Sequence, residues 1–100
     1  MIPLPVRASD EADLIARVRG GDSASITQLY RQHHAKVRAF ATRMLGDRTA
    51  AEDVVHDAFV ALPDALARFR MDAKLETFLM SIGVNLCRRR LRSQARARRA

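Results

Sequence analysis

The sequence predicts an all-α domain, a compact bundle of about four helices. Three observations predict it. Apolar residues recur at spacings of three and four through most of the chain, and the alternation expected of a half-buried strand is absent. Ala, Leu and Arg are abundant, whereas Gly and Pro number only four and three. Polar caps and glycines punctuate the periodic runs where helices should start and stop. At 100 residues and 48% hydrophobic content, the chain can build one modest core as a single domain.

Taken in order, residues 1–9 contain Pro3 and Pro5 and read as an irregular lead-in. Ser9 or Asp10 can cap a short helix from about Glu11 to Arg19, with acids at its start and arginines at its end, as the helix dipole favours. Its apolar edge is Leu14, Ile15 and Val18, and Gly20-Gly21 stops it. Asp22 or Ser23 opens a second helix to about Leu45, striped by Ile26, Leu29, Tyr30, His33, Val37, Phe40, Ala41 and Met44, with Gly46 as its stop.

Thr49-Ala50-Ala51-Glu52 has the form of a capping box ahead of a third helix. Ala51, Val55, Ala58, Leu62, Leu66 and Phe69 mark one face of that helix, with Val54 and Phe59 beside it. Proline in a helix interior removes a hydrogen bond and clashes with the preceding turn, so a kink or break is expected near Pro63. A polar loop, Arg70 to Lys74, then leads into a fourth helix from about Leu75 to Arg92, capped near Asp72 or Ala73 and frayed beyond its end. Leu75, Phe78, Leu79, Ile82 and Leu86 give this helix its buried face.

The net charge of +7 is unevenly placed. Residues 1–76 hold 11 basic and 11 acidic side chains, while residues 77–100 hold seven arginines and no acid. Such a cationic end attracts nucleic acid through phosphate neutralisation and counterion release. An anionic membrane surface, an acidic protein or plain solvation are the alternatives at this stage. The single cysteine, Cys87, excludes an intrachain disulfide framework and zinc-type spacing, and it reads as a small packed residue. No apolar run is long enough to span a membrane, and MIPLPVRASD lacks the apolar core of a signal peptide, so membrane insertion is not expected and the cytoplasm is.

Little points to catalysis, and no enzyme activity or cofactor is expected. His33 and His34 are sequence neighbours and point in different directions on a helix. Asp53, His56 and Asp57 lie at i, i+3 and i+4, but a metal site would need a further ligand that the pattern does not supply. The nucleotide-loop, zinc-protease and serine-hydrolase motifs are all missing. The acidity of the third helix is more informative. From Asp47 to Asp64 there are five acids and one base, an ordinary solvated face or a docking surface for a basic partner.

The loop and fourth helix offer the complementary chemistry. Arg70, Lys74, Arg88, Arg89 and the arginines after them can pair with phosphates. Thr77, Ser81 and Asn85 recur every four residues, and the Asn85 amide can both donate to and accept from a base edge, or bind a neighbouring helix. Phe69 and Phe78 can stack on an unpaired base or serve as core.

These segments together resemble the second conserved region of bacterial extracytoplasmic-function (ECF) sigma factors. The resemblance runs from about Asp10 to Arg92, through DLIARVRGGD (13–22), ITQLYRQHHAKVRAFATRMLGD (26–47), AEDVVHDAFVAL (51–62) and the segment 68–86 that ends in I-x-x-N-L. It implies a transcription initiation factor domain with the sigma region 2 fold. The third helix would then dock on the clamp helices of the RNA polymerase β′ subunit through Asp53, His56 and Asp57. The loop and fourth helix would bind the melted non-template strand of the −10 promoter element and flip a base from its stack. That role falls to Phe69, Arg70, Asp72, Ala73, Lys74, Thr77, Phe78 and Asn85, with Arg88 and Arg89 holding the backbone. Anti-sigma proteins commonly restrain the family, so one is an expected partner.

Some positions depart from the family pattern. His56 stands in place of a usual Gln, Pro63 of an aromatic, Phe78 of a frequent Trp and Ser81 of a common Arg. The resemblance sets 10–92 as the region 2 domain and 93–100 (SQARARRA) as the start of an Arg-rich linker. The helix-turn-helix domain that reads the −35 element, which the family carries after such a linker, is absent from these 100 residues, as in a fragment cut at the linker or a partial gene product. Competing readings are a general nucleic-acid-binding bundle that uses only its arginines, and a protein-interaction module without DNA function.

Overall fold

A computed structural model describes residues 8–70 and 74–99. Four α-helices follow one another: α1 (Ala8–Arg19), α2 (Ser23–Leu45), α3 (Arg48–Ala65) and α4 (Leu75–Arg99), with one 3₁₀ turn, Leu66–Arg68, after α3. Among the described residues there is no strand. The bundle is elongated, with extents of 49 × 32 × 24 Å. Helix α2 is its spine, packing against α1, α3 and α4.

Local chemistry sets the boundaries. Gly21 takes φ 82 and closes α1, and Gly46 takes φ 66 and closes α2, a left-handed conformation that glycine adopts without a Cβ penalty. The Gly46 N–H returns to the Thr42 carbonyl. Asp22 is the N-cap of α2, its carboxylate accepting from the backbone and hydroxyl of Ser25. That hydroxyl is buried and also accepts from Arg17 Nε, which ties α1 to α2.

Several expectations are corrected. Helix α1 is already formed at Ala8, so Ser9 and Asp10 lie within it; residues 1–7 fall outside the described residues. The Thr49–Glu52 capping box does not form. Gly46 turns the chain so that Asp47 enters extended and caps α3 itself, accepting from Thr49 N–H at 2.9 Å. Glu52 instead pairs with Arg38 on α2. The α-helical turns pass through Pro63 and end at Ala65, so the break comes at Leu66, where the 3₁₀ turn begins. Helix α4 extends to Arg99 rather than fraying after Arg92. The caps expected at Asp72 or Ala73 lie outside the described residues.

The larger core cluster joins Leu14, Ile15 and Val18 to Leu29 and Val37, to Val55, Phe59, Leu62 and Leu66, and to Phe69, Leu75 and Leu79. A smaller one, around Ala41, Ala51, Val54 and Cys87, continues it toward the far end of α4. Fully burying one Leu or Ile side chain stabilises by about 1.5–3 kcal/mol. On α4 the buried row is Leu75, Leu79, Gly83 and Cys87, while Phe78, Ile82 and Leu86 flank it half-buried. Gly83 lets α4 approach α2 closely, since a Cβ there would lie 3.3 Å from Val37 Cγ1.

Candidate nucleic-acid and protein interfaces

Burying the 75–79–83–87 row of α4 turns a different row outward. Lys74, Thr77, Ser81, Asn85, Arg88 and Arg92 are all exposed and recur at three- and four-residue steps, forming one stripe. It begins with a cation, passes three hydrogen-bonding side chains and ends in guanidinium groups. Ser81 is turned back on its own helix, its hydroxyl donating to the Phe78 carbonyl at 2.6 Å. Among the described residues the Asn85 amide has no hydrogen-bond partner, so it is available for an outside one.

The two aromatics divide. Phe69 is 7% exposed and belongs to the core, so its ring offers no face to a base. Phe78 is half-buried and lies on it, with ring centroids 4.7 Å apart. Arg70 is exposed; Asp72 and Ala73 lie outside the described residues. The exit from α3 is held by a residue that the sequence pattern had placed only in a helix end. Arg19 Nε donates to the Leu66 carbonyl at 2.7 Å, and Arg19 Nη2 to the Phe69 carbonyl at 3.1 Å. No local signal marks Arg19, because its partners are 47 and 50 residues away.

The outer face of α3 carries Glu52, Asp53, His56, Asp57, Val60, Ala61 and Asp64, all exposed, above a face buried from Ala50 to Leu62. Val60, 66% exposed, puts an apolar spot among the acids. The acidic and cationic faces are neighbours, not opposite ends. Both terminal nitrogens of Arg90 lie 3.4 Å from one Asp53 carboxylate oxygen. An open groove of about 790 Å³ separates the helices, with Asp57, Val60 and Asp64 on one wall and Arg89, Arg92 and Arg96 on the other.

A smaller cavity of about 270 Å³ lies where α1, α2 and the start of α4 meet, bordered by Glu11, Gln32, His33, Lys74 and Glu76. Burial pushes the His33 pKa below its ordinary value, with Glu76 opposing the shift. The Lys36 ammonium, hydrogen-bonded to Glu76, holds that carboxyl below the usual range. The buried Cys87 packs as a small apolar residue, and burial raises the pKa of its thiol. Among the described residues no group of three or more His, Cys, Asp or Glu could hold a metal ion, and no helix is long and apolar enough to cross a membrane.

Comparison with known proteins gives this arrangement its context. The Sigma-70 region 2 family model matches residues 29–97. The ECF RNA polymerase sigma factor SigM of Mycobacterium tuberculosis is 33% identical over 82 residues, 82% of this chain and 42% of the relative. The RNA polymerase sigma-H factor of Pseudomonas aeruginosa is 29% identical over 86% of this chain and 45% of its own length. The chain thus spans less than half the length of these relatives. An engineered region 2 of sigmaE, solved in complex with GTAAAA, superposes with a TM-score of 0.74 at 31% identity, covering 84% of this chain and 87% of the other. A four-helix architecture, a polar and cationic stripe on its last helix and a family match over residues 29–97 lead to one conclusion: this chain belongs to the Sigma-70 region 2 family.

Proposed function

We propose that this chain is the −10-binding and RNA polymerase-binding module of an alternative sigma factor, working in the cytoplasm. The observation that carries the reading is its likeness, in fold and sequence, to a region 2 domain solved with the strand GTAAAA. Residues 10–92 form the module. Asn85, exposed and without a hydrogen-bond partner among the described residues, reads a base edge, and Thr77 faces the same strand. Phe78 stacks on an unpaired base, a contact worth about 1–3 kcal/mol, while Phe69 supports it from below. Arg70, Lys74, Arg88 and Arg89 hold phosphates and carry no sequence information. Asp72 and Ala73 complete the loop that receives the flipped base.

The outer face of α3, through Asp53, His56 and Asp57, docks on the clamp helices of the polymerase β′ subunit. An anti-sigma protein that holds the module inactive is an expected partner. The chemistry is binding and strand opening, with no reaction catalysed and no cofactor. A single-stranded non-template −10 oligonucleotide is expected to bind more tightly than its scrambled counterpart, and more so with core polymerase present. Equal affinity for both at fixed salt favours the second reading, a polyanion binder that uses the exposed arginines alone.

A further inference from the structure

Arg19 lies on α1, on neither the acidic nor the cationic face. We propose that it is a positioning residue for the base-stacking surface, an inference that rests on the function proposed above. Its guanidinium bridges two carbonyls at the exit of the 3₁₀ turn, Leu66 O at 2.7 Å and Phe69 O at 3.1 Å. Carbonyls at a helix C-terminus carry partial negative charge and can accept a further donor, so a cation with two or more N–H groups suits them. The Leu66 carbonyl also accepts from Phe69 N–H at 3.1 Å. Phe69 is therefore held at both its N–H and its C=O, although it has left helical geometry, with φ −72 and ψ 127.

That restraint passes to the surface through one contact. The fixed Phe69 backbone sets its buried ring, and Phe78 lies tilted against that ring at 53° and 4.7 Å. Phe78 is the outermost ring of the pair. Its orientation depends on the ring beneath, and the ring beneath depends on Arg19. A stacking surface held in place before binding loses less freedom when a base arrives, and that difference is affinity. Arg17, two residues earlier, binds Ser25 instead, so the two arginines of this last turn have separate tasks.

A double-mutant cycle tests the assignment. The chain first selects its preferred strand from a randomised pool of single-stranded DNA, and affinities for that strand are then measured. Arg19→Met keeps the aliphatic stem and removes the fork, and is expected to weaken binding about tenfold, the scale of one lost charged hydrogen bond. In a Phe78→Ala background the same change is expected to cost less than about twofold, because its route to the base has gone. Arg19→Lys, with its charge but without the planar fork, should restore little. An equal loss in both backgrounds, or full rescue by lysine, makes Arg19 a phosphate contact and overturns the proposal. A native circular dichroism spectrum and unchanged capture by β′ clamp helices identify folded variants, and Arg19→Lys carries the test if Arg19→Met does not fold. If Phe78→Ala alone leaves binding unchanged, the stacking role fails at its source, an outcome distinct from failure at Arg19.

Discussion

Helices α3 and α4 both turn a charged face to solvent, but they are anchored differently. Helix α3 is buried along its length, from Ala50 and Ala51 through Leu62, with Leu66 in the turn beyond. Its acids therefore stand at fixed positions on a rigid element. Helix α4 is buried at Leu75, Leu79, Gly83 and Cys87, and among the described residues nothing past Cys87 is buried. Its last arginines extend from an anchored helix with few apolar contacts. A fixed pattern of carboxylates around Val60 suits a partner of definite shape. A run of guanidinium groups suits a polymer whose charges repeat. Under the proposed function, the anchored first half of α4, where Thr77 and Asn85 sit, is the part assigned to discriminate.

The comparison breaks first where the anchor is removed. Leu79→Ala is expected to cost about 2–5 kcal/mol in urea unfolding, whereas Arg96→Ala, exposed beyond the anchor, should stay within about 0.5 kcal/mol. Next comes the division within α4. Asn85→Ala should change which base is preferred, at a cost of about 1–3 kcal/mol for the preferred strand, while Arg88→Ala should weaken all sequences alike and reduce the salt slope by about one. Fluorescence titration of strands varied one base at a time, repeated at two salt concentrations, separates the two. Replacing Asp53 and Asp57 together by Ala should reduce capture on immobilised β′ clamp helices while shifting stability by no more than about 0.5 kcal/mol. Undiminished capture would remove these residues from the docking face.

The smallest effect concerns pH. Because burial lowers the pKa of His33 from 6.5, the unfolded chain takes up its proton first as pH falls. The stability attached to neutral His33 is complete above pH 6.5 and declines as pH drops through the folded value. His33→Gln should flatten that part of a stability–pH curve; an unchanged curve would show that burial of His33 carries no linkage.

Much of the fold was legible locally. The stripes on α1 and α3, the αL glycine at the end of α2 and the outward row Thr77–Ser81–Asn85 all follow from helical periodicity and backbone sterics, which act over a few residues. Cap choice was less legible. Asp47 and Thr49 were both able to cap α3, and the approach of the chain from Gly46 decided between them. The roles of Phe69 and Phe78 could not be separated by spacing, since each sits at a core-compatible position; packing buried one and left the other half-exposed.

The sequence by itself determined that this protein is helical, where its charges lie and which motifs mark it as region 2, because these are properties of short stretches. Only the tertiary structure brought Arg90 to Asp53, set acids and arginines on facing walls of one groove, and placed Arg19 on the carbonyls of Leu66 and Phe69. The hydrogen-bonded pairs among them lie 37 to 50 residues apart in the chain. Their meeting depends on how the buried faces of the helices pack, which no local pattern encodes.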